Sequence, residues 1–313
     1  IYGTVLVGNG CEVVQASLLA ERIREKTCKP LEVLVIRQEG GSLNAVKRIV
    51  ELAGKMREEA DRVPLVEEDI SRLILGTECG GSDPTSGLVS NPVVGKCSDL
   101  IIKEGGTVIL SETPELIGAE QILASRCRNE ETAEKLLKTI KAFEEDFLRV
   151  GENPRSGNPT PGNIAGGITT LEEKSLGCIH KAGSSIIQEV VEYGEPINEN
   201  GLIVMDTPGQ DVASIVGMAA AGAQMVVFTT GHGTPTGSGI VPVIKLTGNP
   251  ETAHLMKDNI DFDCSSVLTE GKEIAQAGEE LLAMVRDTAR MHKTKAEKLG
   301  FQDVSIARYC NFA

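Results

Sequence analysis

Tryptophan is absent from this 313-residue chain, and three Tyr and six Phe are its only other aromatic rings. A core of ordinary size must then be built from Val, Ile, Leu, Ala and Met, and few rings remain to stack on bases. Positive charge is also scarce. Against 45 Asp and Glu stand 31 Lys and Arg, a formal charge of -14 that repels nucleic acid and anionic membranes. No apolar run approaches the roughly 20 residues that span a bilayer, and no charged-then-apolar leader opens the chain, so it reads as soluble. Neither a CxxC pair nor HExxH occurs, which removes the usual zinc signatures. Eight cysteines in a chain of this length lack the density of a secreted disulfide scaffold; free thiols in a cytoplasmic setting are the expectation.

What is present is an alternation of short β-branched runs and helically spaced segments. TVLV (4–7) and EVLVI (32–36) are each followed by a helix pattern, and RLILGT, a helix over 85–104, TVILSE (107–112) and a long helix within about 130–150 continue the cycle. Residues 151–170, GENPRSGNPTPGNIAGGITT, form a loop rich in Gly, Pro and Asn, of the kind that carries function or links domains. Beyond it come a helical LEEKSLGCIHKAG, a strand GLIVMDT, a helix DVASIVGMAAAG, strands QMVVFTT and PVIKLTG, an acidic helix around 271–290 and a final strand near DVSIARY. The expected fold class is α/β, with mainly parallel sheets flanked by helices. A Rossmann-like partial domain over 1–70 would precede a larger catalytic domain over 71–313. The chain starts at Ile1 already inside a strand pattern, and reads as a fragment whose earlier strands lie upstream.

Three apolar strands end in loops of glycine and small polar residues: TECGGSD, DTPGQD and TTGHGTPTGSG. In parallel sheets ligands collect beyond the carboxyl ends of strands, so these tips are candidates for one shared pocket. In GTECGGSDPTSG (76–87), Asp83-Pro84 reads as an N-cap followed by a first-turn proline, and a helix start offers unpaired N–H groups to an anion. A tight turn around a buried Cys79 is the plain alternative. LIVMDTPGQD looks like a GTPase strand end, but GxxxxGK[ST] is missing, which excludes nucleotide hydrolysis of that kind. Asp206 is left as a metal or hydroxyl ligand, or as a turn cap.

Lys174 follows the long loop in a capping-box context, Thr170 with Glu173, and is a candidate carboxylate binder or, if desolvated, a base. Of four histidines only His232 lies in a Gly-rich strand-end loop, where imidazole can reach a substrate. Cys11 and Cys79 both follow the tip of a parallel strand; two such thiols are suited to share an iron, or simply let helices pack closely. Cys28, Cys97, Cys127, Cys178, Cys264 and Cys310 sit in helical or strand contexts and read as inert.

GTECGGSDPTSG, SETPELIGAEQIL, NPTPGNIAGGITTLEEKSLG, MDTPG and VVFTTGHGTPTGS, in that order, resemble the large catalytic part of the altronate/galactarate dehydratase family, the altronate branch most closely. Sulfolactate sulfo-lyase large subunits share GGSD, a TTxEEKSLG stretch and an FTTGxG stretch. The resemblance implies loss of water across C2 and C3 of a sugar acid to give a 2-keto-3-deoxy acid, as in hexuronate catabolism. It also implies a divalent metal, commonly Fe²⁺ with Mn²⁺ as alternative, and a further N-terminal domain or small subunit as partner; a homo-oligomer is open. On that reading Gly80, Gly81, Ser82, Asp83, Thr229, Thr230 and Gly231 bind substrate, Cys79 with Cys11 or Asp206 stands near the metal, and Lys174 or His232 transfers the proton. The chain departs from the family in carrying His232 where TTGRG would supply Arg, which would weaken a grip on a carboxylate or confine it to lower pH. The reading of another class is a non-catalytic anion-binding fragment.

Overall fold

A computed structural model describes residues 1–307, and the chain divides into two compact units, Ile1–Glu68 and Asp69–Ala313. In the first unit β1 (Thr4–Gly8) and β2 (Leu31–Val35) run parallel, Thr4 opposite Leu31 and Gly8 opposite Val35. The helices Ala16–Arg24 and Ser42–Ala60 follow the two strands. Its interior is thin: Ala20, Leu34 and Ala45 are its fully buried apolar residues.

The second unit holds a seven-stranded parallel sheet. Its strands are β3 (Ile74–Cys79), β4 (Thr107–Leu110), β5 (Ile187–Val191), β6 (Gly201–Met205), β7 (Met225–Thr229), β8 (Val243–Thr247) and the two-residue β9 (Phe262–Asp263), in the order β5-β6-β4-β3-β7-β8-β9. The runs GLIVM, MVVFT and VIKLT are buried throughout, as strands covered on both faces must be. Successive residues alternate between two cores. Leu75, Val108, Leu202, Val227 and Ile244 pack with Val94, Ile101, Leu281 and Val285, from the helices Asn91–Lys103 and Ile274–Ala289. Ile109, Ile203, Val226 and Phe228 face the other way, onto Ile215 and Met218 of the helix Asp211–Ala221.

After β3 the chain moves to β4 on one side, and β7 later takes the other. The crevice beyond the carboxyl ends of β3, β4 and β7 is therefore a switch point of the sheet, the place where such folds hold ligands. Asp83 and Pro84 open a helical stretch whose first turn, Ser86–Ser90, is π-helical before it continues as Asn91–Lys103. The long loop is broken by two short helices, Pro154–Gly157 and Pro161–Gly166, capped by Asn153 and Thr160.

One expected element is corrected. Asp303–Ala307 form no strand; the segment makes single bonds, Gly237 N to Asp303 (3.3 Å) and Ala307 N to the Tyr193 hydroxyl (3.3 Å), and pairs with no strand among the described residues. The remainder of that expected strand, and Cys310, lie outside the described residues. Among the described residues no helix is long and apolar enough to cross a membrane.

The helix Asn91–Lys103 lies backbone to backbone against the 3₁₀ turn Ile179–Ala182: a Cβ at Gly95 would come within 2.0 Å of the His180 carbonyl oxygen. Gly95→Ala is expected to destabilise by about 3 kcal/mol or more, because backbone cannot yield as a side chain does. Gly54, within the helix Ser42–Ala60, has nothing within 4 Å of such a Cβ. Gly54→Ala should therefore be neutral or stabilising by up to about 1 kcal/mol. Denaturant unfolding of both variants checks the pair.

Candidate functional site

The tip of β3 is built by close approach. Gly81 takes φ +60, and its carbonyl accepts from the amides of Gly231 (3.1 Å) and His232 (2.8 Å). A Cβ at Gly231 would stand 2.3 Å from Asp83 Cγ, so only glycine lets the β7 loop close over the β3 loop. Asp83 spends both oxygens on the scaffold: Oδ1 accepts from Thr85 Oγ1 (2.6 Å) and Ser86 N (3.2 Å), Oδ2 from Asn249 Nδ2 (2.7 Å). Thr229 Oγ1 donates to Asn91 Oδ1 (2.7 Å), and Thr230 Oγ1 accepts from Gly233 N (2.9 Å). A cavity of about 240 Å³ opens beside this turn, lined among others by Cys79, Ser82, Asp83, Asn91, Lys174 and Cys178.

Behind the cavity lies a buried set of ionisable groups. Glu112 leaves β4 in a left-handed conformation, φ 69 and ψ 68, which turns its carboxylate onto Cys79 N (2.9 Å) and the Lys181 ammonium. Lys181 and Glu112 are 0% and 1% exposed, so each is the other's condition for being charged there. Cys79 Sγ lies 3.9 Å from Cys178 Sγ and 3.6 Å from Glu112 Oε1. The hydrogen bond with Cys178 and burial push the Cys79 thiol well up. Burial opposes the Lys181 charge, and Cys178, Cys79 and Glu112 around it outweigh that and hold it protonated. Glu78 Oε2 accepts from Ser214 Oγ (2.6 Å) and Ser111 Oγ (3.0 Å). Burial first, and the Glu112 charge second, hold Glu78 well above the usual carboxylate range.

One ligand atom each from Cys79, Glu112 and Cys178 can be chosen so that all three lie within 4.8 Å of one another. Two sulfurs and one carboxylate suit a thiophilic divalent ion such as Fe²⁺ better than Mn²⁺, which prefers oxygen donors. Among the described residues, Glu78 Oε1 and Glu115 Oε2 are buried carboxylate oxygens without a hydrogen-bond partner. Each such orphan costs about 1–3 kcal/mol unless something else satisfies it.

Lys174 reaches Glu115 Oε1 and Asn158 Oδ1, both at 2.8 Å. Burial would lower its pKa, but the Glu115 carboxylate and further negative groups raise it, so it stands as a cation rather than a resting base. His232 is exposed, and its Nε2 meets the Gly162 carbonyl at 3.1 Å, joining the β7 loop to the long loop. Asp206 is bound by Thr113 Oγ1 at 2.5 Å and lines a separate cavity of about 670 Å³ with Lys135, Glu192 and Gln210. Cys11 belongs to the first unit, exposed, 3.6 Å from Asn9 Nδ2. The structure thus gathers Cys79, the 80–83 turn, Thr229 to His232 and Lys174 around the β3 tip.

Glu112, Glu115 and Lys181 were not singled out from the sequence, and Cys178, read there as inert, stands against Cys79. Cys178 follows Lys174 by four residues on the helix Leu171–Cys178, so the two share a face, and that spacing was the available signal. The Cys97 and Cys264 thiols are pushed up to about 12, chiefly by burial.

Residues 70–311 match the family model D-galactarate/altronate dehydratase, C-terminal, and residues 1–61 match the second domain of D-galactarate dehydratase/altronate hydrolase. The chain is 40% identical to altronate dehydratase of Escherichia coli K12 over 97% of its own length and 60% of that protein. It is 33% identical to the galactarate dehydratase (L-threo-forming) of the same organism, covering 96% of this chain and 58% of the relative. The subunit beta of (2R)-sulfolactate sulfo-lyase of Chromohalobacter salexigens is 34% identical, covered to 82%, over 98% of this chain. The chain thus spans about 60% of the length of the dehydratases it resembles.

Asp211, the first residue of its helix, supplies a pH test. A Cβ at Gly80 would lie 2.8 Å from its Oδ2, and burial, then the Glu112 charge, push its carboxyl up to about 6. The native state therefore binds this proton more tightly than the unfolded chain. Stability contributed by Asp211 is complete below about pH 4 and is lost as pH rises through 6. Asp211→Asn lacks that loss, so its stability relative to wild type should rise by roughly 2–3 kcal/mol between pH 4 and pH 7.5. Urea unfolding across that range reads the difference.

Proposed function

The chain belongs to the D-galactarate/altronate dehydratase family, and we propose on that premise that it is the catalytic part of a sugar-acid hydro-lyase acting on an acid such as D-altronate. The observation that carries this reading is the meeting, at one switch-point cavity, of a glycine turn, a buried acid-thiol cluster and a lysine ammonium.

Loss of water across C2 and C3 needs a base for the weakly acidic C2 proton, stabilisation of the enediolate and a proton for the departing 3-hydroxyl. The turn Gly80–Asp83 would hold the acid end against its backbone, with Asp83 fixing the turn. His232, if it donates through Nε2 to the Gly162 carbonyl, keeps Nδ1 free to accept the C2 proton. Lys174, held protonated, would stabilise the enediolate and carry the proton to the leaving hydroxyl. Cys79, Cys178 and Glu112 would hold a divalent ion, with Fe²⁺ favoured by the two sulfurs; such an ion supplies Lewis acidity to a carboxylate or hydroxyl oxygen. Binding it would release the thiol protons. A second reading, sulfo-lyase activity with a separate small subunit, is favoured by the 82% coverage of a protein named as a subunit.

The full-length protein, purified anaerobically and supplied with Fe²⁺, is expected to form a 2-keto acid from altronate faster than from galactarate, and no sulfite from sulfolactate. Sulfite release alone would favour the second reading, and no turnover of any of the three would sink the first. Lys174→Met should lower kcat by about 10²-fold or more; unchanged turnover removes Lys174 from the chemistry.

A further inference from the structure

Strand β8 carries a buried amine that the chemistry above leaves unused. By the alternation of a strand, Lys245 lies on the same face as Val243, which belongs to the core of Phe228 and Val241. It stands opposite Phe228 of β7 and is 0% exposed. Its Nζ donates to the Thr236 carbonyl at 2.9 Å, and among the described residues it makes no ion pair. Burial lowers the ammonium from its usual range, with the Lys295 charge in support and those of Asp261 and Asp303 opposed. An apolar side chain of similar volume would pack in this place without the cost of desolvating an amine.

The Thr236 carbonyl belongs to the loop after β7. Gly231 N and His232 N donate to the Gly81 carbonyl, which fixes the head of this loop at the β3 tip. From Gly233 to Ile240, among the described residues, no backbone group bonds to another backbone group. Gly233 N and Thr236 N donate to the Thr230 and Thr234 hydroxyls, within the loop itself, and Pro235 has no N–H to give. Two hydrogen bonds reach this stretch from outside it: Lys245 Nζ to the Thr236 carbonyl, and Gly237 N to Asp303 Oδ2 at 3.3 Å. Only the first comes from the sheet.

We propose that Lys245 is a positioning residue, whose bond to the Thr236 carbonyl pins the tail of the β7 loop and thereby holds His232 in its place on the Gly162 carbonyl. This rests on the hydro-lyase reading above, in which His232 accepts the C2 proton. A stretch held at its head alone samples many conformations, and His232 adjoins the residue where that stretch begins.

The test uses the full-length protein with Lys245→Met, which keeps an unbranched side chain and removes the donor. Its melting temperature should equal or exceed that of wild type, because an apolar group replaces a buried amine. Amide exchange in peptides within 231–240, read by mass spectrometry, should be about tenfold faster or more, with the helix Asn91–Lys103 unchanged. Turnover of altronate should fall by about tenfold in kcat, and the same change should cost no more of the residual turnover of His232→Ala, since the two act as a unit. Asp303→Ala frees the neighbouring Gly237 amide from outside the core and should speed the same exchange by a smaller factor, so the loop is probed even where Lys245→Met does not fold. Wild-type exchange within 231–240 in every variant that folds overturns the inference, and so does faster exchange with kcat unchanged. A lowered melting temperature with exchange raised throughout the protein, or an undiminished loss of turnover in His232→Ala, also overturns it. A wild type inert on every sugar acid overturns the hydro-lyase reading instead, and exchange then still decides whether Lys245 pins the loop.

Discussion

The site depends on one ion pair. Lys181 and Glu112 are enclosed by protein, and leaving either without the other would cost about 3–5 kcal/mol. The pair forms only if the strand-end residue Glu112 turns back in its left-handed conformation while the 3₁₀ turn carrying Lys181 presses onto the helix Asn91–Lys103 at Gly95. That contact carries Cys178 to Cys79 and aligns the helix from which Lys174 reaches Glu115. Backbone shape, charge balance and the placement of every acid and thiol in the cluster are thus one constraint.

Around this cluster the scaffold is polar but self-satisfied. Asp83, Thr229, Thr230 and Asn163 spend their side chains on neighbouring loops, with Asn163 Nδ2 donating to the Ser82 carbonyl at 2.8 Å. Residues that look like ligand binders from their glycine-rich setting therefore fix the geometry of a turn, and among the described residues the buried side-chain atoms left without a partner are Glu78 Oε1, Glu115 Oε2, Arg126 Nε and Ser175 Oγ. Arg155 binds Glu172 at 2.7 Å and also pairs with Glu144, fastening the long loop to helices on either side of it. The loop is an ordered wall of the site.

The fold was largely legible because strands buried on both faces appear as unbroken apolar runs, as GLIVM and MVVFT do, and their glycine-rich ends point to the switch point. What could not be read was tertiary. TVILSE looks like a strand through Glu112, yet β4 ends at Leu110, and nothing local announces the left-handed turn at a non-glycine residue. Glu112 and Lys181 gain meaning only when residues 69 apart meet. DVSIARY has the alternation of a strand, but Asp303–Ala307 find no sheet edge to pair with, and periodicity alone does not supply a partner. Asp206 looked equivalent to Cys79 as a strand-end residue; it faces another cavity because β6 lies on the far side of β4 from β3.

The contacts that assemble the site join residues 59, 69 and 99 positions apart, each reaching from the β3–β4 region to the helical segment 171–182. A growing chain that has emerged only through Leu116 carries Glu112 and Glu115 but neither Lys174 nor Lys181, so these two acids lack their cationic partners. Closure of long loops is slow and entropically unfavourable until those cations arrive. The cluster at the site can therefore close only once the segment 171–182 is present.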